Sequence, residues 1–180
     1  KAGSVNVGDA TKITAGRDVN LTAQNNVNIK NSLTGSTADT PSVISAGRNA
    51  NILAKTGDVT IKMAPSVGDT SVNRGVIAKN DVNIEATKGG LHIGDNADIL
   101  ADNDINIKSY ETITFGPQGA NNINIDNTTT IAAGKYVNIA STNGDINAEK
   151  TTMPTIEYGE RLTFNAKGSN NFTSENSLKS

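Results

Sequence analysis

Hydrophobic and polar residues alternate in short segments along the whole chain. The clearest segment runs from Ile13 to Ala23, and its pattern recurs in six copies that begin at Ile13, Ile44, Val76, Ile99, Ile131 and Ile156. In every copy the first apolar residue and the second are six positions apart. Alternation over a few residues is typical of half-buried strands, and no stretch carries the period of a helix. Copies at constant spacing indicate a repeat architecture.

A shorter apolar pair follows each copy. These pairs are Val27/Ile29, Val59/Ile61, Leu91/Ile93, Ile113/Phe115, Ile146/Ala148 and, more weakly, Phe172, while Val5/Val7 precedes the first copy. Each unit therefore contains three short strands separated by turns. That organisation predicts an all-β, right-handed parallel β-helix of about six three-stranded coils, a solenoid with aliphatic and Ala residues inside and Thr, Asn, Lys and Glu outside.

Asparagine occupies a fixed place in the repeat. The chain has 25 Asn and 21 Thr, although Asn disfavours both helix interiors and ordinary strands. The eighth repeat position holds Asn in five copies, and it stands between two inward residues, so it is expected to face outward; these residues are Asn20, Asn51, Asn83, Asn106 and Asn138. Stacked Asn side chains can bond to one another as an amide ladder, so a structural role is predicted.

A small-residue corner follows the first strand of each unit. Ala-Gly pairs occupy it at Ala15-Gly16, Ala46-Gly47 and Ala133-Gly134. The Ala is expected to turn a crowded corner, and the Gly to supply a backbone conformation that other residues resist. Lys79 and Asp102 replace the Gly in the third and fourth copies, which predicts a different turn there.

Extra residues interrupt the repeat at one place. Successive copies start 31, 32, 23, 32 and 25 residues apart, and the additional residues fall at about 31–42, 63–75 and 116–130. These segments are predicted to be loops at one corner of the solenoid, with Ile123 to Ile125 as a possible extra strand. Such a corner often binds partners, and the candidate contact residues are Thr34, Asp39, Asp69, Arg74, Gln118 and Asn121. The alternative is that they are plain surface loops, because insertions there cost little stability.

Composition argues against several classes of activity. A net charge of −2 disfavours nucleic acid and anionic membranes as partners. Without Cys and with a single His, a thiolate nucleophile or a metal cage of those residues is not expected. The best acidic cluster, at Asp95, Asp98, Asp102 and Asp104, does not match the spacing of a calcium loop and is interpreted as solvated turn residues. His92 is expected to be a solvated outward residue, so no enzyme, metal or cofactor is predicted.

The chain is expected to be a section of something longer. It begins at Lys1 without a recognisable signal peptide, and no run approaches the length of a membrane span. We expect one β-helix segment over residues 1–180, cut from a longer rod, with regular repeats at about 11–166 and a terminal coil and tail at 167–180.

The recurring Ala-Gly-Arg/Lys, Val-Asn-Ile/Leu and Ala elements resemble the haemagglutinin repeats of filamentous haemagglutinin-like exoproteins. The resemblance spans about residues 11–166. It implies a segment of a two-partner-secretion protein of a Gram-negative bacterium, exported through an outer-membrane partner and secreted or held at the cell surface. Such proteins act in adhesion or in contact-dependent inhibition, which implies a receptor or glycan on a host or target cell. We expect this segment to be a monomer.

Other classes of protein share parts of this pattern. An intertwined trimeric β-prism from a phage-tail-like or type VI secretion spike also carries Val-x-Ile strands, but Ala-Gly corners and one-sided insertions favour a single-chain solenoid. A carbohydrate-binding or polysaccharide-degrading β-helix would need a site that no residues here select. Ice binding would need a stricter outward array than this mixture of Thr, Asn, Lys and Glu.

Overall fold

The computed structural model describes residues 3–31, 42–63, 74–94, 96–115, 130–148, 155–171 and 178–179. These residues form twenty short strands and no helix. The strands assemble into three sheets in which every pairing is parallel. The predicted all-β parallel solenoid is therefore confirmed.

Each sheet collects one strand from every coil. Sheet A contains β1 (Val5–Val7), β4 (Val27–Asn31), β7 (Val59–Met63), β10 (Leu91–Gly94), β13 (Ile113–Phe115), β16 (Ile146–Ala148) and β19 (Asn170–Asn171). Sheet B contains β2 (Lys12–Ala15), β5 (Val43–Ala46), β8 (Gly75–Ala78), β11 (Asp98–Ala101), β14 (Thr130–Ala133), β17 (Thr155–Tyr158) and β20 (Leu178–Lys179). Sheet C contains β3 (Val19–Ala23), β6 (Ala50–Ala54), β9 (Val82–Ala86), β12 (Ile105–Ser109), β15 (Tyr136–Ser141) and β18 (Arg161–Ala166).

The chain visits the sheets in the order B, C, A. Coil 1 consists of β2, β3 and β4, coil 6 of β17, β18 and β19, and the six coils match the six sequence copies. Each strand pairs with the third strand further along, in a register that places like residues together, as in Ile29 with Ile61 and Asn106 with Asn138. The right-handed winding stays a prediction, which the strong preference of parallel crossovers for that hand supports.

The core is a thin apolar column that runs through all coils. Ile29, Ile61 and Ile93 form one fully buried file on sheet A. Ile52, Ile84 and Ile107 form another on sheet C, each at most 2% exposed. The equivalent sheet C residues of the first and last coils, Leu21 and Phe164, are only partly buried. Burial in the inner coils contributes about 1.5–3 kcal/mol for each large aliphatic side chain.

The insertions lie at one corner, as predicted. A strand of sheet A ends at Asn31, Met63 or Phe115 before each long segment, and a strand of sheet B follows it. We call this place the A–B corner, and name the B–C and C–A corners in the same way. The candidate residues Thr34, Asp39, Asp69, Gln118 and Asn121, the proposed strand at 123–125, and Phe172 lie outside the described residues. Among the described residues no helix is long and apolar enough to cross a membrane.

Candidate functional site

The outer face of sheet C carries a continuous amide ladder. The side-chain Nδ2 of Asn51 donates to Oδ1 of Asn20 at 2.8 Å, and Asn83 donates to Asn51 at 2.9 Å. Asn106 donates to Asn83 at 2.9 Å, and Asn138 donates to Asn106 at 3.0 Å. The structure thus brings together all five residues of the predicted ladder. In coil 6 the register position belongs to Thr163, which ends the run of Asn.

One further ladder and one further pair of stacked Asn side chains were not predicted from the sequence. At the B–C corner Asn80 donates to Oδ1 of Asn49 at 2.8 Å, and Nδ2 of Asn103 makes a short bond to Oδ1 of Asn80. On sheet A, Asn28 donates to Asn6 at 2.8 Å. The sequence pattern did not predict the corner ladder, because its members do not share one repeat position. Asn49 occupies the sixth position, whereas Asn80 and Asn103 occupy the fifth.

Polar residues that immediately precede a strand hold the next coil by its backbone. Oδ1 of Asp18 accepts the backbone N–H of Asn49 at 3.1 Å, at the B–C corner. At the C–A corner, Oδ1 of Asn26 accepts the N–H of Asp58, and Oδ1 of Asp58 accepts the N–H of Gly90, both at 2.9 Å. The signal was present in the sequence, because Asp, Asn, Ser or Thr stands directly before most apolar segments.

The corner glycines Gly47 and Gly134 are required because the backbone of the preceding coil lies close to them, and not because they adopt a positive φ. Among the described glycines only Gly75 has a positive φ, so the expectation of a special conformation at Gly16, Gly47 and Gly134 was wrong. A Cβ built on Gly47 would lie 2.2 Å from the carbonyl oxygen of Gly16, and one on Gly134 would lie 2.0 Å from that of Asp102. The carbonyl of the preceding coil therefore excludes a side chain. The adjacent Ala46 and Ala133 are buried, and Ala15 is half-buried.

The A–B corner contains a buried polar group where the second insertion meets sheet B. Arg74, a candidate contact residue, is only 5% exposed, and its backbone N–H donates to Oδ2 of Asp98 at 2.9 Å. Burial raises the pKa of Asp98, while hydrogen bonds from the Arg74 backbone and the Thr130 side chain oppose that rise. Gly75, which follows Arg74 and is the register partner of Asp98, has a φ of +115°. This arrangement anchors the end of the inserted segment to coil 4.

His92 differs from expectation in its exposure. It faces away from the core, because Leu91 and Ile93 on either side point inward, but it is 6% exposed and therefore not solvated. It lines a cleft of about 250 Å³ together with Asp58, Thr60, Glu111 and Thr112. The alternation of apolar and polar residues predicted that His92 faces outward. Its burial depends on residues of the neighbouring coils, which alternation does not reveal.

The described members of the acidic cluster differ in their exposure. Asp102 is exposed, Asp98 is half-buried, and Asp95 lies outside the described residues. Oδ1 of Asp104 is buried without a hydrogen-bond partner in the described part of the chain. Within the same residues, His, Cys, Asp and Glu side chains do not gather into a group that could hold a metal ion.

Charged pairs link neighbouring coils at the B–C corner. Arg48 contacts the Asp18 carboxylate, and this hydrogen bond is the main reason that the pKa of Asp18 falls to about 2. Between the last two coils, Arg161 lies 5.2 Å from the centre of the Tyr136 ring. The Tyr136 hydroxyl donates to Glu160, which raises the Tyr136 pKa. These contacts brace coils and do not form a reactive centre.

Comparison with known proteins connects this geometry to one family. Residues 30–90 match the family described as Hemagglutinin repeat. This match runs from the end of β4 through coil 2 to the turn before β10, across the first two insertions. Neither curated proteins nor solved structures gave a match. Residues 30–90 therefore match a hemagglutinin repeat, and this match supports a filamentous haemagglutinin-like protein.

Proposed function

We propose that this chain is a structural shaft and display segment of a large secreted bacterial surface exoprotein that acts in adhesion or in contact-dependent inhibition. The match of residues 30–90 to the hemagglutinin repeat supports the class of protein. The continuous core column is the observation that carries the structural role. Its inner files repeat from coil to coil without a break among the described strands.

The stacking gives the rod its stiffness. Backbone ladders in three sheets, the five-residue amide ladder and the corner bonds all link one coil to the next along the same axis. Repeat proteins distribute stability over such neighbour contacts. A rod built in this way can be lengthened by adding coils, which suits a part that holds another part at a distance.

Display is assigned to the A–B corner. All three long insertions join sheet A to sheet B, so they leave the register of the sheets undisturbed. Thr34, Asp39, Asp69, Gln118 and Asn121 belong to these segments and are the proposed contact residues. The buried Arg74 serves as an anchor of the second segment and not as a contact.

The proposed action is contact and not catalysis. The partner would be a receptor or glycan on a host or target cell, and the parent protein would leave the bacterium through an outer-membrane secretion partner. The three sheets surround one apolar core that is built from this chain's own residues, which favours a monomer over an intertwined trimer. Light scattering after size exclusion should give a mass near 18.7 kDa, and a stable trimer would contradict the proposal.

Adhesion can be tested with microspheres that carry the chain through a biotin at its carboxyl terminus. In a trimmed variant, residues 116–129 are replaced by the short connection that joins β10 to β11, at 95–97. We expect the trimmed chain to keep its circular dichroism and thermal midpoint and to bind epithelial cells more weakly. Equal binding by both chains would contradict display at this corner. Absence of binding by the intact chain would leave only the shaft role.

A further inference from the structure

A groove runs along the outer side of sheet B, next to the B–C corner of coils 4 to 6. Its volume is about 590 Å³, within the range of small-ligand sites. It is lined by Ala101, Asp102, Ala132, Ala133, Gly134, Glu157, Tyr158 and Gly159. The small residues form the floor, and two carboxylates and a phenol ring supply the chemistry.

The three chemically distinctive residues are also those that depart from the repeat. At the third repeat position five copies have Ala and only the sixth has an aromatic residue, Tyr158. At the fourth position only Asp102 is acidic, and at the second position only Glu157 is acidic. Coil stacking explains residues that repeat, but it does not explain departures. Asp102, Glu157 and Tyr158 all line this one groove, whereas Lys79, which departs from the repeat in coil 3, does not.

The lining determines the charge of an occupant. Two carboxylate side chains line the groove, and no Lys or Arg is among its lining residues. A guanidinium group is planar, is always charged, binds carboxylates with two parallel hydrogen bonds and stacks on aromatic faces. Gly134 and Gly159 are exposed residues of the groove lining, so the backbone there is accessible from solvent.

We propose that this groove binds an arginine-bearing extended segment of a partner protein, with Tyr158 stacking on the guanidinium and Asp102 and Glu157 as its anionic partners. The inference extends the display role proposed above, because it adds a second contact surface on the face of the rod. It is tested on the purified chain, so its failure leaves the shaft and corner-display roles untouched.

The test uses the blocked peptide acetyl-Ala-Arg-Ala-amide and the same peptide with citrulline, which is neutral and nearly the same shape. Two-dimensional ¹H–¹⁵N spectra of the labelled chain report the site. We expect the arginine peptide to shift amides of residues 132–134 and 157–159 in a saturable way. The citrulline peptide should bind about three- to tenfold more weakly, because it lacks the charge.

Two substitutions that restore the repeat remove the site without introducing a foreign residue. Tyr158→Ala and Asp102→Gly should each weaken binding severalfold, and Asp102→Asn is the milder alternative if either variant unfolds. Tyr110→Ala is the control, because Tyr110 is an exposed tyrosine, at 44%, that lies at the C–A corner of coil 4 and is not part of the groove lining. Equal binding of both peptides, shifts outside the groove, or a hexose such as galactose replacing the arginine peptide at these amides would overturn the proposal.

Discussion

Arg48 and Asp18 are joined across two coils by a two-pronged contact. Nε of Arg48 donates to Oδ1 of Asp18 at 2.7 Å, and Nη2 contacts Oδ2. The same Oδ1 also accepts the backbone N–H of Asn49. One carboxylate therefore holds both the side chain and the backbone of the following coil, at the end of the rod where coil 1 meets coil 2.

This contact should make the first coils sensitive to acid. The folded-state pKa of Asp18 is lowered from 3.8 to about 2, chiefly by the hydrogen bond from Arg48. Since the folded pKa lies below the unfolded one, its stabilisation is present above about pH 4 and is lost as the pH falls toward 2. Urea unfolding of the intact chain and of Asp18→Asn should therefore differ at pH 6 and converge at pH 2.

Glu85→Gln is the matched control for that measurement. It removes another carboxylate from an inter-coil pair, but Glu85 lies 3.9 Å from Lys108 and is more exposed than Asp18. Exposed pairs of that kind contribute little to stability. If Asp18→Asn and Glu85→Gln behave alike at every pH, the two-pronged contact has no special role.

Gly47 and Gly16 occupy the same repeat position and should respond oppositely to alanine. A Cβ at Gly47 would lie 2.2 Å from a backbone oxygen, whereas Gly16 has nothing within 4 Å. We expect Gly47→Ala to destabilise the fold by roughly 1–3 kcal/mol, because backbone must move. Gly16→Ala should be neutral or stabilising by up to about 1 kcal/mol, because it lowers the entropy of the unfolded chain. Thermal unfolding of the two variants tests this prediction. Equal unfolding midpoints would argue against the explanation that the Gly16 carbonyl excludes a side chain at Gly47.

The amide ladder predicts a dependence on position. Asn83 makes two ladder bonds, to Asn51 and Asn106, while Asn20 makes one. At about 1 kcal/mol for each net hydrogen bond, Asn83→Ala should cost roughly twice as much as Asn20→Ala. Chemical denaturation measures both, and a larger loss from Asn20→Ala would contradict a cooperative ladder.

Gly75 should tolerate no side chain. Its φ of +115° is strained for other residues, and an added Cβ would lie 2.6 Å from the carbonyl oxygen of Asp98. We expect Gly75→Ala to lower stability by about 1–3 kcal/mol or more. Gly8→Ala is the control, because a Cβ there meets nothing within 4 Å. Similar unfolding midpoints for the two variants would show that the corner adapts.

Periodic features were predictable, and features that depend on neighbouring coils were not. The spacing of Ile13 and Val19 was enough to give the strand order, because each inward file repeats at a fixed interval. The outward Asn83 followed from the same alternation. The burial of His92 was missed, because alternation tells which side of a sheet a residue faces and not what lies across it.

The corners show the same limit in another form. The sequence correctly places small residues at Gly47 and Gly134, but the reason lies in a carbonyl of a different coil, a full repeat away in the chain. The groove beside Tyr158 also spans three coils, so no single copy contains it. An alignment of the six copies shows which residues differ from the others at the same repeat position. Asp102 is one of them, and such differences are the sequence signal for this groove.

Pairing each strand with the third strand further on has a kinetic consequence. The ends of any pairing are separated by one coil, between 22 residues, as from Val5 to Val27, and 33 residues, as from Ile113 to Ile146, however long the rod becomes. Loop-closure entropy therefore does not grow with total length, and a completed coil is a template on which the next can zip. A chain delivered one end first, through a ribosome or a pore, can fold vectorially as it emerges, without waiting for its far end.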